Sequence, residues 1–382
     1  MNKPYKIYGQ EFIDPNALAQ FFSAMEMSWA IQGAVLPDSH YGYSLPIGSV
    51  VATKGMLVPA WVGYDEGCGV CAVKTDFNIA DIVEFQKEIF ELIYQLVPVG
   101  RNHNKESVLW EGLDMLPHSP WLEEMYKNTG GARQLGTLGG GNHFIEICFD
   151  SDNMVWIIVH SGSRNVGHRT ATNYMKLASG TNKAKEGHYP IPADSEEGEM
   201  FFADLNFCLS FALKNREVII ERVMDAIFKV TSKTGKWLKI DEGNPTVKQN
   251  HMINRNHNHA EFNESMGMWI HRKGATHAAK GMLGVIPGNM RDGSFIVRGK
   301  GCEASLFSSS HGAGRTMSRR KAQETFKVED FHDAMYGITA KVGASTLDES
   351  PFAYKDISQV MHGQSDLVEI ITKVVPIINI KG

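Results

Sequence analysis

Histidines stand inside five turns, most of them glycine-rich, that adjoin short apolar runs, and any chemistry this chain performs is to be sought there. The turns read Pro37-Asp38-Ser39-His40, Gly139-Gly140-Gly141-Asn142-His143, His160-Ser161-Gly162-Ser163-Arg164, Asn256-His257-Asn258-His259 and His311-Gly312-Ala313-Gly314-Arg315. Glycine lets the main chain approach a ligand closely, while a strand end fixes the direction of the neighbouring side chain. One such histidine is more often structural; five such turns, joined by an acid-thiol turn, form a site. That turn is Gly63-Tyr64-Asp65-Glu66-Gly67-Cys68-Gly69, with a carboxylate and a thiol three positions apart. Thiolate, carboxylate and imidazole make a borderline-soft donor set suited to Zn, Mn, Fe or Co, not to Mg or Ca. A bridging thiolate would also let two metals sit close together, the geometry used for displacement at phosphorus.

Phosphate groups have candidate partners as well. Leu138-Gly139-Gly140-Gly141-Asn142-His143 and His311-Gly312-Ala313-Gly314 could turn backbone N–H groups toward phosphate oxygens. Neither is a Walker A loop or a dinucleotide-binding turn. Arg164, Arg298, Arg315, Arg319 and Arg320 lie near these turns and could hold phosphate bidentately, although the run Ser318-Arg319-Arg320-Lys321 reads as a helix surface. His311, flanked by glycine, is a candidate nucleophile toward phosphorus; its alternative role is metal ligand, and the sequence leaves both open. Cys68 and Cys71 form a Cys-x-x-Cys pair without the second pair of a zinc site. Five cysteines in all, an odd and sparse set, argue against a disulfide framework and for a reducing cytoplasm.

The elements that must position these residues are legible in part. The chain has 382 residues, 43% hydrophobic and 21% charged, so it can bury a large core. Its formal net charge of -5 rules out a general polycation, and any contact with nucleic acid must be local. Apolar runs such as Met154 to Val159 and Val374 to Ile380 are far shorter than the roughly 20 residues of a membrane helix. The first residues lack the apolar stretch of a secretion signal, which again implies a cytoplasmic protein with no membrane contact. Strands are expected at Ile47 to Thr53, Val70 to Lys74, Phe144 to Phe149, Val155 to His160, Gly284 to Ile286, Ser294 to Val297 and Val374 to Ile380. Helical periodicity runs over Ile79 to Leu96 and Glu196 to Thr231, and 179–193, rich in Gly and Pro, reads as an exposed loop or insertion. The expected class is α+β in one continuous domain over 1–382, with short strands flanked by long helices.

These motifs, taken together, resemble the RtcB family of RNA-splicing and RNA-repair ligases over nearly the whole chain. The resemblance is carried by Pro37-Asp38-x-His40-x-Gly42 with Ile47-Gly48, Asp65-x-Gly67-Cys68-Gly69, Leu135 to Glu146, His160 to Arg164, His257-Asn258, His271 to Thr276, Pro287-Gly288-x-Met290, His311 to Arg315 and Lys381-Gly382. It implies an α+β fold with sheets around a central metal cleft. It also implies an activity: joining an RNA 3'-phosphate or 2',3'-cyclic phosphate to a 5'-hydroxyl with GTP and Mn2+. By the same resemblance Cys68 would bridge two Mn2+ ions, with His143 and His160 completing one site and Asp65 and His257 the other. His311 would attack the GTP α-phosphate to give a histidine-GMP adduct, the GMP would pass to the RNA 3'-phosphate, and the 5'-hydroxyl would displace it. Glu146 would read guanine, with Ser294 and Lys381 alongside. Asn142, Phe144, Ile145, Asn258, Pro287, Gly288, Asn289, Met290, Gly312, Ala313 and Gly314 would form the rest of the nucleotide pocket, with Arg164 and Arg315 at the RNA phosphate. Family members are often monomeric, and some rely on a small activator protein. The chain departs from the family pattern at Glu66, Asn289, Asn165-Val166 and Ser39-His40-Tyr41, and is read as a repair-type paralogue. A metal-dependent phosphodiesterase and an RNA-binding module are the competing classes. The first has no use for Glu146 and a separate His311, and the second needs none of the metal ligands.

Overall fold

The computed structural model describes residues 3–232 and 252–382. The run Met154–Ser161 is a strand buried along nearly its whole length, as expected where a sheet is covered on both faces. It lies at the middle of the larger sheet, ordered Leu283–Pro287, Ser294–Gly299, Val368–Lys381, Phe144–Phe149, Met154–Ser161, Gly69–Asn78, Met252–Asn256, with Thr339–Ala340 paired to Val368–Lys381. Arg255 of one outer strand donates from Nε to Leu283 O of the other at 3.1 Å, and the sheet nearly closes into a barrel. Because alternate side chains face opposite ways, Val155, Ile157 and Val159 join Ile145, Ile147, Cys71 and Val73 on one side. Trp156 and Ile158 join Phe144, Cys148, Val70 and Ala72 on the other. The first side is covered by the helices Gln86–Leu96 and Glu196–Ser232 through Ile89, Ile93, Ile219, Ile220, Val223 and Ile227. The second meets Ile253, Val285, Ile296 and Val374 across the barrel interior.

The helix Glu196–Ser232 spans 37 residues, roughly 55 Å at 1.5 Å per residue. Glu196, Glu197 and Glu199 in its first turn suit the positive end of its dipole, and Ser195 Oγ accepts from Gly198 N at 3.1 Å. A second sheet is ordered Tyr5–Ile7, Ala30–His40, Ile47–Thr53, Met268–Lys273, Asn258–Asn263. The helix Pro15–Met25 covers one face of it, packing Phe21, Ala24 and Met25 on Val35 and Val51. Asp14 caps this helix by accepting from Asn16 N at 2.7 Å.

All seven expected strands are present, two with the expected bounds (Ile47–Thr53 and Phe144–Phe149). The expected helix over Ile79 to Leu96 is interrupted. Asn78 and Asp81 form a capping box on a short turn, Ile79–Ile82, and a 3-10 turn separates it from Gln86–Leu96. The strands Ala30–His40, Met252–Asn256, Asn258–Asn263 and Met268–Lys273 were not legible because polar residues or Gly33 and Pro37 break their apolar pattern. The segment 179–193 is mostly solvent-facing yet tied down: Ile191–Pro192 pairs with Met56–Leu57, and Trp61 Nε1 donates to His188 Nδ1 at 3.0 Å. Among the described residues no helix is long and apolar enough to cross a membrane.

Candidate active site

The register of the larger sheet assembles the site. Phe144 pairs with His160, and Gly69 pairs with both Ser161 and Asn256. Cys68, His143, His160 and His257 adjoin these positions and so meet at one end of neighbouring strands. Cys68 Sγ lies 3.4 Å from His143 Nε2 and 3.1 Å from His160 Nε2. All three ligand atoms fall within 4.8 Å of one another and all three residues are buried. Asp65 Oδ2 is 2.9 Å from His143 Nε2. His257 N donates to Cys68 O at 2.7 Å, and its ring lies 5.1 Å from that of His160 and 4.8 Å from that of His311. His143 Nδ1 meets Leu138 O at 2.8 Å, an acceptor that leaves Nε2 as the ligand atom.

Burial holds His160 and His257 well below the usual imidazole range, so both are neutral and free to donate a lone pair. Burial would raise Asp65, but the His143 charge, the His143 and Cys68 hydrogen bonds and Arg164 bring it down to about 2. Burial, with Asp65 adding to it, pushes the Cys68 thiol up; a bound cation would reverse this. Buried thiol and imidazole donors converging on one point, with the half-exposed Asp65 carboxylate beside His143, fit a borderline-soft divalent cation. Cys71 is no part of it: it lies in the strand among core residues, with its thiol raised to about 12 by burial.

The cluster is braced from below by Arg216, which is fully buried. Its Nη1 donates to Gly67 O (2.9 Å) and Ser161 O (2.8 Å), Nη2 to Asn256 Oδ1 (2.6 Å) and Nε to Asn254 Oδ1 (2.7 Å). Gly67, Ser161 and Asn256 are the chain neighbours of Cys68, His160 and His257. One guanidinium thus ties the three ligand-bearing segments to the long helix. Asn215 beside it holds Thr137 O, Ser161 Oγ and Gly162 O.

His311 follows the short strand Ser308–Ser310, which pairs with Ala275–His277. Asp38 Oδ2 meets His311 Nδ1 at 2.6 Å and accepts from the His311 backbone N at 3.0 Å. Asp38 reaches it because the ladder slips there: Val35 pairs with Ser49 and the next pair is His40 with Ile47. Gly314, at φ +74°, closes over this bulge; a Cβ there would stand 2.1 Å from Asp38 O. Asp38 is fully buried, which opposes its charge, yet His311 holds its carboxyl below the usual range. With Nδ1 engaged, His311 has Nε2 left for chemistry, an arrangement that serves a nucleophile and a metal ligand alike.

His311 lines a cavity of about 890 Å³ together with His160, Asn142, Phe144, Glu146, Pro287, Gly288, Asn289, Met290, Gly312, Ala313, Gly314, Arg315 and Lys381. Glu146 is buried, which pushes its carboxyl up to about 7; Asn379 Nδ2 donates to it at 2.7 Å and Ser294 Oγ at 3.5 Å. Lys381 Nζ sits 5.2 Å over the Phe144 ring and bonds Glu349 Oε2 at 2.6 Å. Ile145 points the other way, into the core, as alternation along the strand requires. Asn258 is a tether: Nδ2 donates to Asp65 O (3.0 Å) and Oδ1 accepts from Gly274 N (2.8 Å). Asn289 Oδ1 accepts from Arg291 N and Asp292 N, closing the turn after Pro287.

The arginines divide. Arg164 lies beside the cluster, donating to Thr137 Oγ1 (3.1 Å) and Gly100 O (2.8 Å). Gly139, at φ +97°, makes room for it; a Cβ there would meet Arg164 Nη1 at 2.1 Å and His143 Nδ1 at 2.5 Å. Arg315 spends its guanidinium inside the cavity wall, on Asp348 O at 2.8 Å and over the Tyr354 ring. The expectation of a plain helix surface for Ser318 to Lys321 needs correction at Arg319. That residue lines the cavity and pairs with Asp348 (2.7 Å) and Glu349, whereas Arg320 is exposed. The roles of Asp38, Asn379, Glu349, Tyr354 and Arg216 were missed. Asn379 could have been found as the residue two before Lys381 on the same strand face; Glu349 and Arg216 carry no sequence signal.

The family profile described as "tRNA-splicing ligase RtcB" matches residues 20–119 and 116–382. The chain is 36% identical to the RNA-splicing ligase RtcB of Escherichia coli K12 over 408 aligned residues, covering 100% of this chain and 98% of that protein. It is 37% identical to RNA-splicing ligase RtcB1 of Escherichia coli ATCC 25922, with the same coverage. It is 27% identical to the tRNA-splicing ligase RtcB of Thermococcus kodakarensis, covering 91% of this chain and 87% of that one.

Proposed function

We propose, for a chain that belongs to the RtcB family and is an RNA ligase, that it joins RNA 3'-phosphate or 2',3'-cyclic phosphate ends to 5'-hydroxyl ends using GTP. The observation that carries this reading is the pairing of His311 with a buried Asp38 at the wall of a nucleotide-sized cavity. Asp38 keeps the proton on Nδ1, so the Nε2 lone pair attacks the α-phosphorus of GTP; a P–N bond forms, the α-β P–O bond breaks and pyrophosphate leaves. An oxygen of the RNA 3'-phosphate, which for a cyclic end is first formed by water adding to phosphorus and breaking the P–O2' bond, then attacks the α-phosphorus; the P–N bond breaks and His311 is freed. Finally the 5'-hydroxyl attacks the activated RNA phosphate and GMP departs.

The ionised Glu146 carboxylate accepts from guanine N1–H and the 2-amino group, a donor pair adenine lacks, while Ser294 and Asn379 orient it. Asn142, Gly288, Gly312 and Gly314 line the remaining wall. Arg164, set beside the cluster, is the arginine available to the RNA phosphate. Cys68, His143 and His160, with Asp65 and His257 beside them, would hold Mn2+, which would supply charge neutralisation and alignment to the phosphates. The ligation serves RNA repair, acting on broken RNA, or tRNA splicing.

The test is intact-mass analysis after mixing with GTP and Mn2+ and denaturing. One GMP attached through an acid-labile, base-stable bond, and lost in His311→Ala, is the expected result. Metal bound with no adduct formed would overturn the reading in favour of a phosphodiesterase.

A further inference from the structure

A row of aromatic rings leads out of the reaction cavity. Tyr41 and Tyr43 stand at its rim, 64% and 63% exposed. The Tyr43 ring meets Tyr64 edge-on at 6.1 Å, and Tyr64 stacks on His168 at 5.1 Å with only 21° between the planes. Single exposed aromatics are ordinary on protein surfaces. Three rings in contact, Tyr43 to Tyr64 to His168, that open on the reacting groups with Tyr41 at the same rim are not. Its backing is cationic. Lys273 is buried, donates from Nζ to Ala60 O at 3.1 Å and lies 5.9 Å from the Tyr43 ring, with the Glu186 carboxylate favouring its charge. Arg169, Lys183 and Lys185 are exposed and, among the described residues, have no ion-pair partner. The segment carrying both lysines is seated on the row: Ala184 packs with Tyr64 against Ala60, Ala171 and Met175, and the Tyr64 hydroxyl meets Glu186. Glu186 on the same segment offsets part of this charge, and Arg169, Lys183 and Lys185 remain exposed for a phosphate backbone.

We propose that Tyr41, Tyr43, Tyr64 and His168 form a base-stacking platform for the terminal nucleotides of a single-stranded RNA, with the exposed Arg169, Lys183 and Lys185 facing its backbone. The inference rests on the RNA-ligase reading of the cavity. Unpaired bases stack on aromatic rings whatever their sequence, and backbone charge draws the strand to the row. A platform of this kind admits broken or looped ends, whose bases are free, and discriminates against ends held in a duplex. Its outer half, Tyr64 and His168, does not line the cavity, so base stacking and nucleotide chemistry can be separated by experiment.

The probe is a fluorescent single-stranded oligoribonucleotide ending in a 3'-phosphate, titrated with the full chain at fixed salt. His168→Ala and Tyr64→Leu should each weaken binding about tenfold, the effect of one base-ring stack. Tyr64→Phe should bind as the parent does, and GMP-adduct formation without RNA should be unchanged in all three. Undiminished RNA affinity in the Tyr64→Leu/His168→Ala double variant, with adduct formation intact, overturns the platform. Absence of the adduct in the parent chain instead overturns the ligase chemistry and leaves the binding result to stand by itself. A readout without substitution is photo-crosslinking of 5-iodouridine RNA to the parent chain. Crosslinks are expected at Tyr43, Tyr64 or His168, and crosslinks confined to other surfaces refute the proposal.

Discussion

Replacing Arg216 should loosen the proposed metal site without touching any residue proposed to hold the ion. All four of its acceptors are neutral, two backbone carbonyls and two Asn side chains, and three of them sit next to Cys68, His160 and His257 in the chain. In Arg216→Met all four lose a charged donor. The Asn side chains can turn to other partners, but Gly67 O and Ser161 O are left buried, at about 1–3 kcal/mol each. Set against this is relief from burying a guanidinium that no carboxylate pairs with, which is worth a few kcal/mol at most. The net expectation is a loss of roughly 2–4 kcal/mol, within reach of a folded protein's usual margin. Arg216→Lys retains charge but has one point of donation where the guanidinium fans across three segments, so it should recover less than half. The assay is denaturant unfolding alongside Mn2+ titration of the folded protein. A brace on ligand segments should lower metal affinity about 10- to 100-fold. Filling of space alone would lower stability and leave Mn2+ affinity as it was. Wild-type Mn2+ affinity in folded Arg216→Met would refute the reasoning.

Asp38→Asn should slow GMP-adduct formation by about 10²- to 10⁴-fold, the scale for losing a carboxylate that fixes an imidazole tautomer; an unchanged single-turnover rate would remove Asp38 from that role. GTP affinity should rise as pH climbs from 6 through 7, because Glu146, held at about 7 by burial, must ionise to accept from guanine. Roughly a tenth of it is ionised at pH 6, and Glu146→Gln should flatten the profile and erode the preference for GTP over ATP; an equal slope in that variant would count against the guanine contact. Raised above its unfolded value, the same carboxyl subtracts stability progressively as pH rises between about 4.5 and about 7. Glu349 runs the opposite way. Burial opposes its charge, but Lys381, Arg319 and Tyr354 hold it at about 2, so its contribution is complete above about pH 4.5 and lost as pH falls through about 2. Glu349→Ala should therefore cost about 3–5 kcal/mol near pH 7, measured by unfolding, by stranding the buried Lys381, while Arg319 keeps Asp348; a loss under 1 kcal/mol would show the cluster to be slack.

Much of the site was legible in the sequence because its parts are local. The ligand types, the glycines beside them and the strand runs that end at them are contiguous patterns, and the apolar alternation of Phe144–Phe149 and Met154–Ser161 already implies which side chains share a face. The resemblance carried by those motifs identified the family. Residue type and spacing also singled out Cys68, which the structure brings together with His143 and His160, while Cys71 lies in the core.

The tertiary structure alone decided how distant segments meet. Asp38 and His311 are 273 residues apart, and Glu349 and Lys381 meet from a 3-10 turn and a strand end; both contacts depend on register and bulges that local pattern does not encode. Arg216 looks like any polar position of an amphipathic helix until the fold buries it beneath three strand ends. Lys381, likewise, is a plain surface cation by composition, and becomes part of the cavity only because its strand pairs with Phe144. Hydrogen-bond register across a sheet is set by the sum of all its side-chain packing, so a one-residue slip anywhere in it would scatter a site whose residues the sequence nonetheless contains.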